Sequence, residues 1–195
     1  MHKGRLEAFS DGVLAIIITI MVLELHAPQH AAQFSDLKPL FPLFLTYAMS
    51  FVYVGIYWNN HHHMFQVTQR VTGAVLWANL HLLFWLSLVP FVTGWLGENA
   101  FAKAPAALYG FVLLMSGAAY TILQRTILRV PDANSVLARA VGRDWKGKAS
   151  VALYAIAIAT SFWNPWTSCV IYVFVALMWL IPDPRIEKVI DKHAE

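Results

Sequence analysis

A single aspartate sits inside a run of residues otherwise suited to hydrocarbon. Arg5-Leu-Glu-Ala-Phe9-Ser10-Asp11-Gly12 leads straight into the apolar stretch Val13 to Leu23. From Leu6 to Leu25 the run is about 20 residues, or about 30 Å of helix, which matches the hydrocarbon core of a bilayer. A carboxylate at such depth is unfavourable against lipid, so Asp11 is expected to face other helices or water and marks a functional site. At about 100° per residue, Gly12, Ile16, Thr19, Ile20 and Leu23 fall within an arc of roughly 100° on one helix face. Several chains meeting along that seam would form stacked rings. A narrow apolar ring gates by dewetting, and a ring of hydroxyls replaces part of an ion's hydration shell. Packing against neighbouring helices of a membrane bundle would use the same pattern of small and apolar residues.

A second group is His61, His62 and His63. Consecutive helical positions diverge by about 100°, so these three cannot converge on one metal ion without ligands from elsewhere. His81 could pair with one of them across helices as the two axial ligands of a haem, but no second matched pair of histidines accompanies them. No metal and no cofactor is expected. Glu24, at the far end of the first apolar run, either concentrates cations at a pore mouth or is an ordinary interfacial carboxylate. Ser10 and Asp11 with a distant histidine make no nucleophile motif, and there is no glycine-rich phosphate loop, so an enzyme is not expected.

The elements that position these residues follow from composition. Of 195 residues, 58% are hydrophobic and 13% charged, with a mean hydropathy of +0.55; an ordinary soluble domain carries about 25% charge. The expected fold is all-α: an integral membrane six-helix bundle in one domain, 1–195, with spans at about 6–25, 40–63, 71–96, 104–124, 148–163 and 166–182. Trp163, Asn164, Pro165 and Trp166 read as a tight interfacial turn between the last two. The first span lacks a cleavage site of small residues and reads as retained. Net charge is +3 and the pI is near 9.1, but the basic residues are sorted by membrane side, and nucleic acid is not an expected partner. Of the 14 Lys and Arg, only Lys38 and Lys103 fall on the outer side if the N-terminus is cytoplasmic. An even number of spans then returns the C-terminus to the cytoplasm. In the longer inner loop, Pro131-Asp132-Ala133-Asn134-Ser135 signals a turn and helix start, and Val136 to Val141 a short interfacial helix beside anionic lipid headgroups. The lone cysteine, Cys169, leaves the redox compartment open.

Arg5, three residues, then Phe9-Ser10-Asp11 at the head of the first span resembles the signature of the transmembrane protein 175 potassium channels, in their short prokaryotic type. Trp58-Asn-Asn-His61-His62-His63-Met-Phe65 on the second span, and Asn79 ahead of Leu-Val-Pro90-Phe91 on the third, extend the likeness. The resemblance implies a homotetrameric, potassium-selective channel in the cell membrane, for a prokaryote the inner membrane. Its pore would be lined by the first helices of four subunits, with potassium and other monovalent cations as permeant species and membrane lipids as partners. By the same resemblance Ile16 is the apolar constriction, Ile20 and Leu23 are further pore layers, and Thr19 is the layer that influences selectivity. Arg5, Phe9, Ser10 and Asp11 would be structural; from their shared depth in the cytoplasmic half of the expected topology, Asp11 and Ser10 are expected to pair with one of His61, His62 or His63, with Asn79 a further candidate. No carbonyl filter of the Thr-Val-Gly-Tyr-Gly kind occurs, so a moderate preference for the more easily dehydrated potassium is expected. The alternative class, a secondary transporter, usually shows broken helices and internal repeats around a midplane site. No repeat is visible, and Pro90 is the only candidate break.

Overall fold

The computed structural model describes residues 3–28, 32–66, 68, 70–129 and 145–180. Among these there is no strand. The helices are α1 (Lys3–Leu23), α2 (Phe41–Gln66, preceded by a 3₁₀ segment, Phe34–Leu40), α3 (Gly73–Ser87), α4 (Val89–Glu98), α5 (Lys103–Leu128), α6 (Trp145–Ser161) and α7 (Pro165–Leu180). With α3 and α4 taken as one interrupted rod, they form an all-α bundle of six rods. Four of these, 3–23, 34–66, 73–98 and 103–128, are long and apolar enough to cross a membrane. At 17 and 16 residues, α6 and α7 reach about 25 Å and lie at the short end for a span. The interfacial helix expected at 136–141 and the tail beyond 180 lie outside the described residues.

The interruption between α3 and α4 falls at Leu88, two residues before Pro90. Proline lacks the N–H that would bond Leu86, and its ring crowds that carbonyl, so the rod bends where the sequence removes a rung. Leu88 stays right-handed (φ −84°, ψ −11°) and the Val92 N–H still reaches the Leu88 carbonyl at 3.2 Å. This is a one-residue kink within the rod, with 15 helical residues before it and 10 after, not an unwound stretch.

Among the described residues, the buried side-chain polar groups are hydrogen-bonded as hydrocarbon requires, with the Ser116 hydroxyl on α5 the exception. The Thr93 hydroxyl lies 2.6 Å from Ser50 Oγ, which lies 3.0 Å from the Tyr109 hydroxyl, tying α4, α2 and α5. Tyr53 donates to the Tyr172 carbonyl at 2.6 Å, and Tyr172 to the Ala106 carbonyl at 2.9 Å, which fastens α7 to α2 and α5. The turn from α4 into α5 places Ala100 and Phe101 at φ 46° and 62°. Phe101 tolerates the left-handed backbone because its ring is buried against Trp166, with centroids 4.8 Å apart; that burial offsets a conformational cost of about 1–2 kcal/mol.

Close approach of α4 to α2 depends on Gly97, where an added Cβ would lie 2.6 Å from the Leu43 Cα. Backbone cannot swing aside as a side chain can. Gly97→Ala is therefore expected to destabilise the bundle by about 1–3 kcal/mol, read as a lower thermal midpoint in detergent. An unchanged midpoint would show that α4 and α2 can separate freely there.

A candidate pore face on the first helix

Helix α1 is two-sided. Leu6, Ser10, Leu14, Ile17 and Met21 are buried, a spacing of three and four that makes one stripe facing the rest of the bundle. Across the helix, Gly12, Ile16, Thr19, Ile20 and Leu23 are all exposed within the chain. Neighbours in sequence show the division best: Ile16 is 58% exposed and Ile17 3%. The seam expected from periodicity is thus left uncovered by α2 to α7. No side chain reaches into space around Gly12. The Thr19 hydroxyl donates to the Ile16 carbonyl at 2.8 Å, so its proton is engaged and its oxygen lone pairs remain available to a cation. Glu24 follows in the turn after α1 and is exposed.

Behind the seam, three helices are joined by a directional chain of hydrogen bonds. The His61 ring nitrogen Nε2 lies 2.8 Å from Asn79 Oδ1, Asn79 Nδ2 donates to Ser10 Oγ at 2.9 Å, and Ser10 donates to the Leu6 carbonyl at 2.9 Å. Each of these side chains is buried. Since Asn79 uses its amide to reach Ser10, its carbonyl must accept, and His61 carries the proton on Nε2. The His61 ring also packs on Phe65, centroids 4.5 Å apart. At the other end of α1, Thr93 Oγ1 lies 4.0 Å from Met21 Sδ, placing the Thr93–Ser50–Tyr109 chain against the back of the seam.

Asp11 pairs differently from expectation. It is exposed and accepts from Trp58 Nε1 at 3.0 Å, not from a histidine. One residue of rotation from Ser10 moves its side chain off the buried stripe and toward the rim between α1 and α2. Trp58 stacks on His62 (6.0 Å, 16° between planes), and Gln66 donates to His62 Nε2 at 2.9 Å and lies 3.4 Å from His63 Nδ1. Lys3 closes the group by donating to the Gln66 carbonyl at 3.0 Å. Trp58, which heads the histidine-rich stretch of α2, is thus the partner of Asp11. The three histidines diverge: His61 goes to Asn79, His62 and His63 to Gln66. His81 accepts from Trp85 Nε1 at 3.0 Å. Among the described residues no group of three or more His, Cys, Asp or Glu comes together to hold a metal. Arg5 and Phe9 are exposed on α1, Phe9 at 52%.

Six apolar rods with nearly all interior polar groups hydrogen-bonded, and a first helix held firmly on one side and open on the other, define a multi-pass membrane protein. Known proteins narrow the class. Residues 5–90 match the family described as endosomal/lysosomal potassium channel TMEM175. The chain is 55% identical to a potassium channel of Chryseobacterium sp. over 193 residues, covering 99% of this chain and all of that one. It also superposes on the crystal structure of a lysosomal potassium-selective channel TMEM175 homolog from Chamaesiphon minutus with a TM-score of 0.77, at 31% identity, covering 92% of this chain and 96% of that one. The endosomal/lysosomal proton channel TMEM175 of Homo sapiens is 32% identical over 117 residues, 54% of this chain and 23% of the human protein. The chain belongs to the TMEM175 family of ion channels.

Proposed function

We propose that this chain forms a homotetrameric, potassium-selective channel whose pore is the α1 seam repeated around a four-fold axis. The carrying observation is the two-sidedness of α1: the stripe from Leu6 to Met21 is buried in its own bundle, while Ile16, Thr19, Ile20 and Leu23 have nothing covering them. Assembly would bring four copies of that open face together. Successive rings at Ile16, Ile20 and Leu23 would then lie about 6 Å and about 4.5 Å apart along the axis. Between the first two, four Thr19 oxygens, their protons already given to the Ile16 carbonyls, offer acceptors where an ion has shed part of its water. Potassium dehydrates more easily than sodium, so apolar rings without a carbonyl filter favour it to a moderate degree.

The proposed orientation places both termini in the cytoplasm of a prokaryotic cell, with the protein in the inner membrane. This rests on the distribution of lysine and arginine, with only Lys38 and Lys103 on the outer side. The names of the bacterial relatives support potassium as the permeant ion.

The test is the reversal potential of purified protein in planar bilayers under a potassium-to-sodium gradient. A shift toward the potassium equilibrium potential is expected, and a reversal at zero would remove the selectivity. Thr19→Ala is expected to move the reversal potential toward zero while leaving current intact. An unaltered reversal potential would remove Thr19 from the ion's path.

A further inference from the structure

The pore seam occupies only part of what α1 leaves open. At about 100° per residue, Ala8, Asp11, Ala15 and Val22 fall within a separate arc of about 60°. All four are exposed, on the side of the helix where Asp11 meets Trp58 of α2. In a four-fold ring this flank turns away from the axis. It is unsuited to lipid, because Asp11 lies about 12 Å along the helix from Lys3. One of its oxygens accepts from Trp58, and among the described residues no hydrogen bond reaches the other. Asn59, next to Trp58, is a second polar side chain exposed at this depth. Carboxylate and amide inside a span call for protein around them.

Helices α3 and α4, on the Ser10 side of α1, leave a matching row uncovered. Trp77, Phe84 and Phe91 recur every seven residues and are 75%, 55% and 63% exposed. Ala8, Ala15 and Val22 recur at the same interval on α1. The bond from Asn79 to Ser10 sets the two rows in register, and Met21 beside Thr93 shows that the helices run the same way. Trp77 is two residues before Asn79, as Ala8 is two before Ser10; Phe84 and Ala15 are each five beyond, and Phe91 and Val22 each twelve. Rotation about an axis along the membrane normal leaves depth unchanged. A neighbouring copy therefore presents each aromatic side chain at the level of one smaller residue.

We infer that the α1 flank of each subunit receives the partner subunit's Trp77, Phe84 and Phe91, with the indole N–H of the partner subunit's Trp77 on the free oxygen of Asp11. This rests on the four-fold pore of the proposed function and adds which faces close it. Small residues let a neighbouring helix approach, and the rings fill the space they leave. Asp11 is three residues above the level of Ala8, about 4.5 Å, within the reach of an indole. The other exposed donors fit less well. Asn59 belongs to the same face as Asp11, whereas a ring closed head to tail joins unlike faces; Arg5 projects along the seam, about 9 Å nearer the start of α1.

A chain carrying Ala15→Cys and Phe84→Cys in a Cys169→Ser background, oxidised in its membrane and run on a non-reducing gel, tests the contact. A ladder of dimer, trimer and tetramer is expected, because every chain then holds both halves of the contact, and either cysteine alone should leave monomer. Val22→Cys with Phe91→Cys makes the same comparison if the first pair misfolds. Native mass spectrometry reports the tetramer separately. An intact tetramer with no ladder would overturn the inference and leave the pore reading standing, whereas a folded chain that forms no tetramer would remove both. Cross-linked dimer from a single cysteine would mean that like faces meet, and would also overturn it. Trp77→Phe keeps the ring and loses the N–H, so it should weaken assembly about tenfold with the monomer fold intact; unchanged assembly would overturn the bond to Asp11.

Discussion

Ile16→Asn is expected to raise single-channel conductance by about tenfold or more and to weaken discrimination between potassium and sodium. The reasoning is local. Ile16 is 58% exposed in its own chain, so the substitution removes little intrachain packing; in the assembled channel it would replace an apolar ring by four amides able to hold water and ions. Each 1.4 kcal/mol taken from a dehydration barrier multiplies flux about tenfold, and restoring part of a hydration shell is worth at least that. Ile17→Asn is the control. One residue along, at 3% exposure, the same amide would enter the bundle core without a partner, at about 1–3 kcal/mol or more. It should lower protein stability and leave single-channel properties of the surviving channels unchanged. Single-channel recording together with thermal melts separates the two positions. A reversal of the pattern would mean that α1 is rotated relative to the pore.

Asn79→Leu is expected to destabilise the chain by about 1–3 kcal/mol, the penalty for a buried polar group left unpaired. For a chain of this size that is a drop of roughly 2–10 °C in thermal midpoint. Leucine keeps most of the volume, so the loss isolates hydrogen bonding. Both the His61 proton and the Ser10 acceptor lose their partner. Ser10→Ala removes only one of those contacts and should have a smaller effect. The double variant should fall short of the sum, because the two side chains share one bond. Additive effects would show that Ser10 and Asn79 are not coupled, and that α1 is held by apolar packing alone.

The first substitution lies on the open face of α1, and the second, on α3, reaches the buried face of α1 through Ser10; only the open face was readable from sequence in full. The seam was legible because period and length coincide: Gly12 to Leu23 keeps a helical repeat inside a membrane-length run, and the structure leaves that face open. The break at Leu88 was signalled by Pro90, for the plain reason that proline has no N–H. What held the back of α1 was legible by residue type but not by pairing. Ser10, Asn79 and three histidines were evident, yet choosing among His61, His62 and His63 requires the rotation of α2. Ser50, eleven residues before His61 and so about three turns away, lies on the same face. It is buried in the bundle along with Val54 and Phe65, which in retrospect selects His61. The Asp11–Trp58 contact could not be read at all. It depends on the relative depth of α1 and α2, which packing sets and neither helix encodes alone. Over the described residues the last two helices run to 17 and 16 residues, the short end for a span.

On the proposed function, water and ions travel along the α1 face bearing Ile16, Thr19, Ile20 and Leu23. Single cysteines placed at each position from Gly12 to Leu23, in a Cys169→Ser background, can be challenged with a charged thiosulfonate during bilayer recording. Such reagents attack the thiolate, which forms in water and not in lipid or a packed core. Stepwise changes in current are expected at positions 16, 19, 20 and 23, and none at 14, 17 and 21. Modification at 14, 17 and 21 with silence at 16, 20 and 23, or silence at every position in a conducting channel, would contradict it.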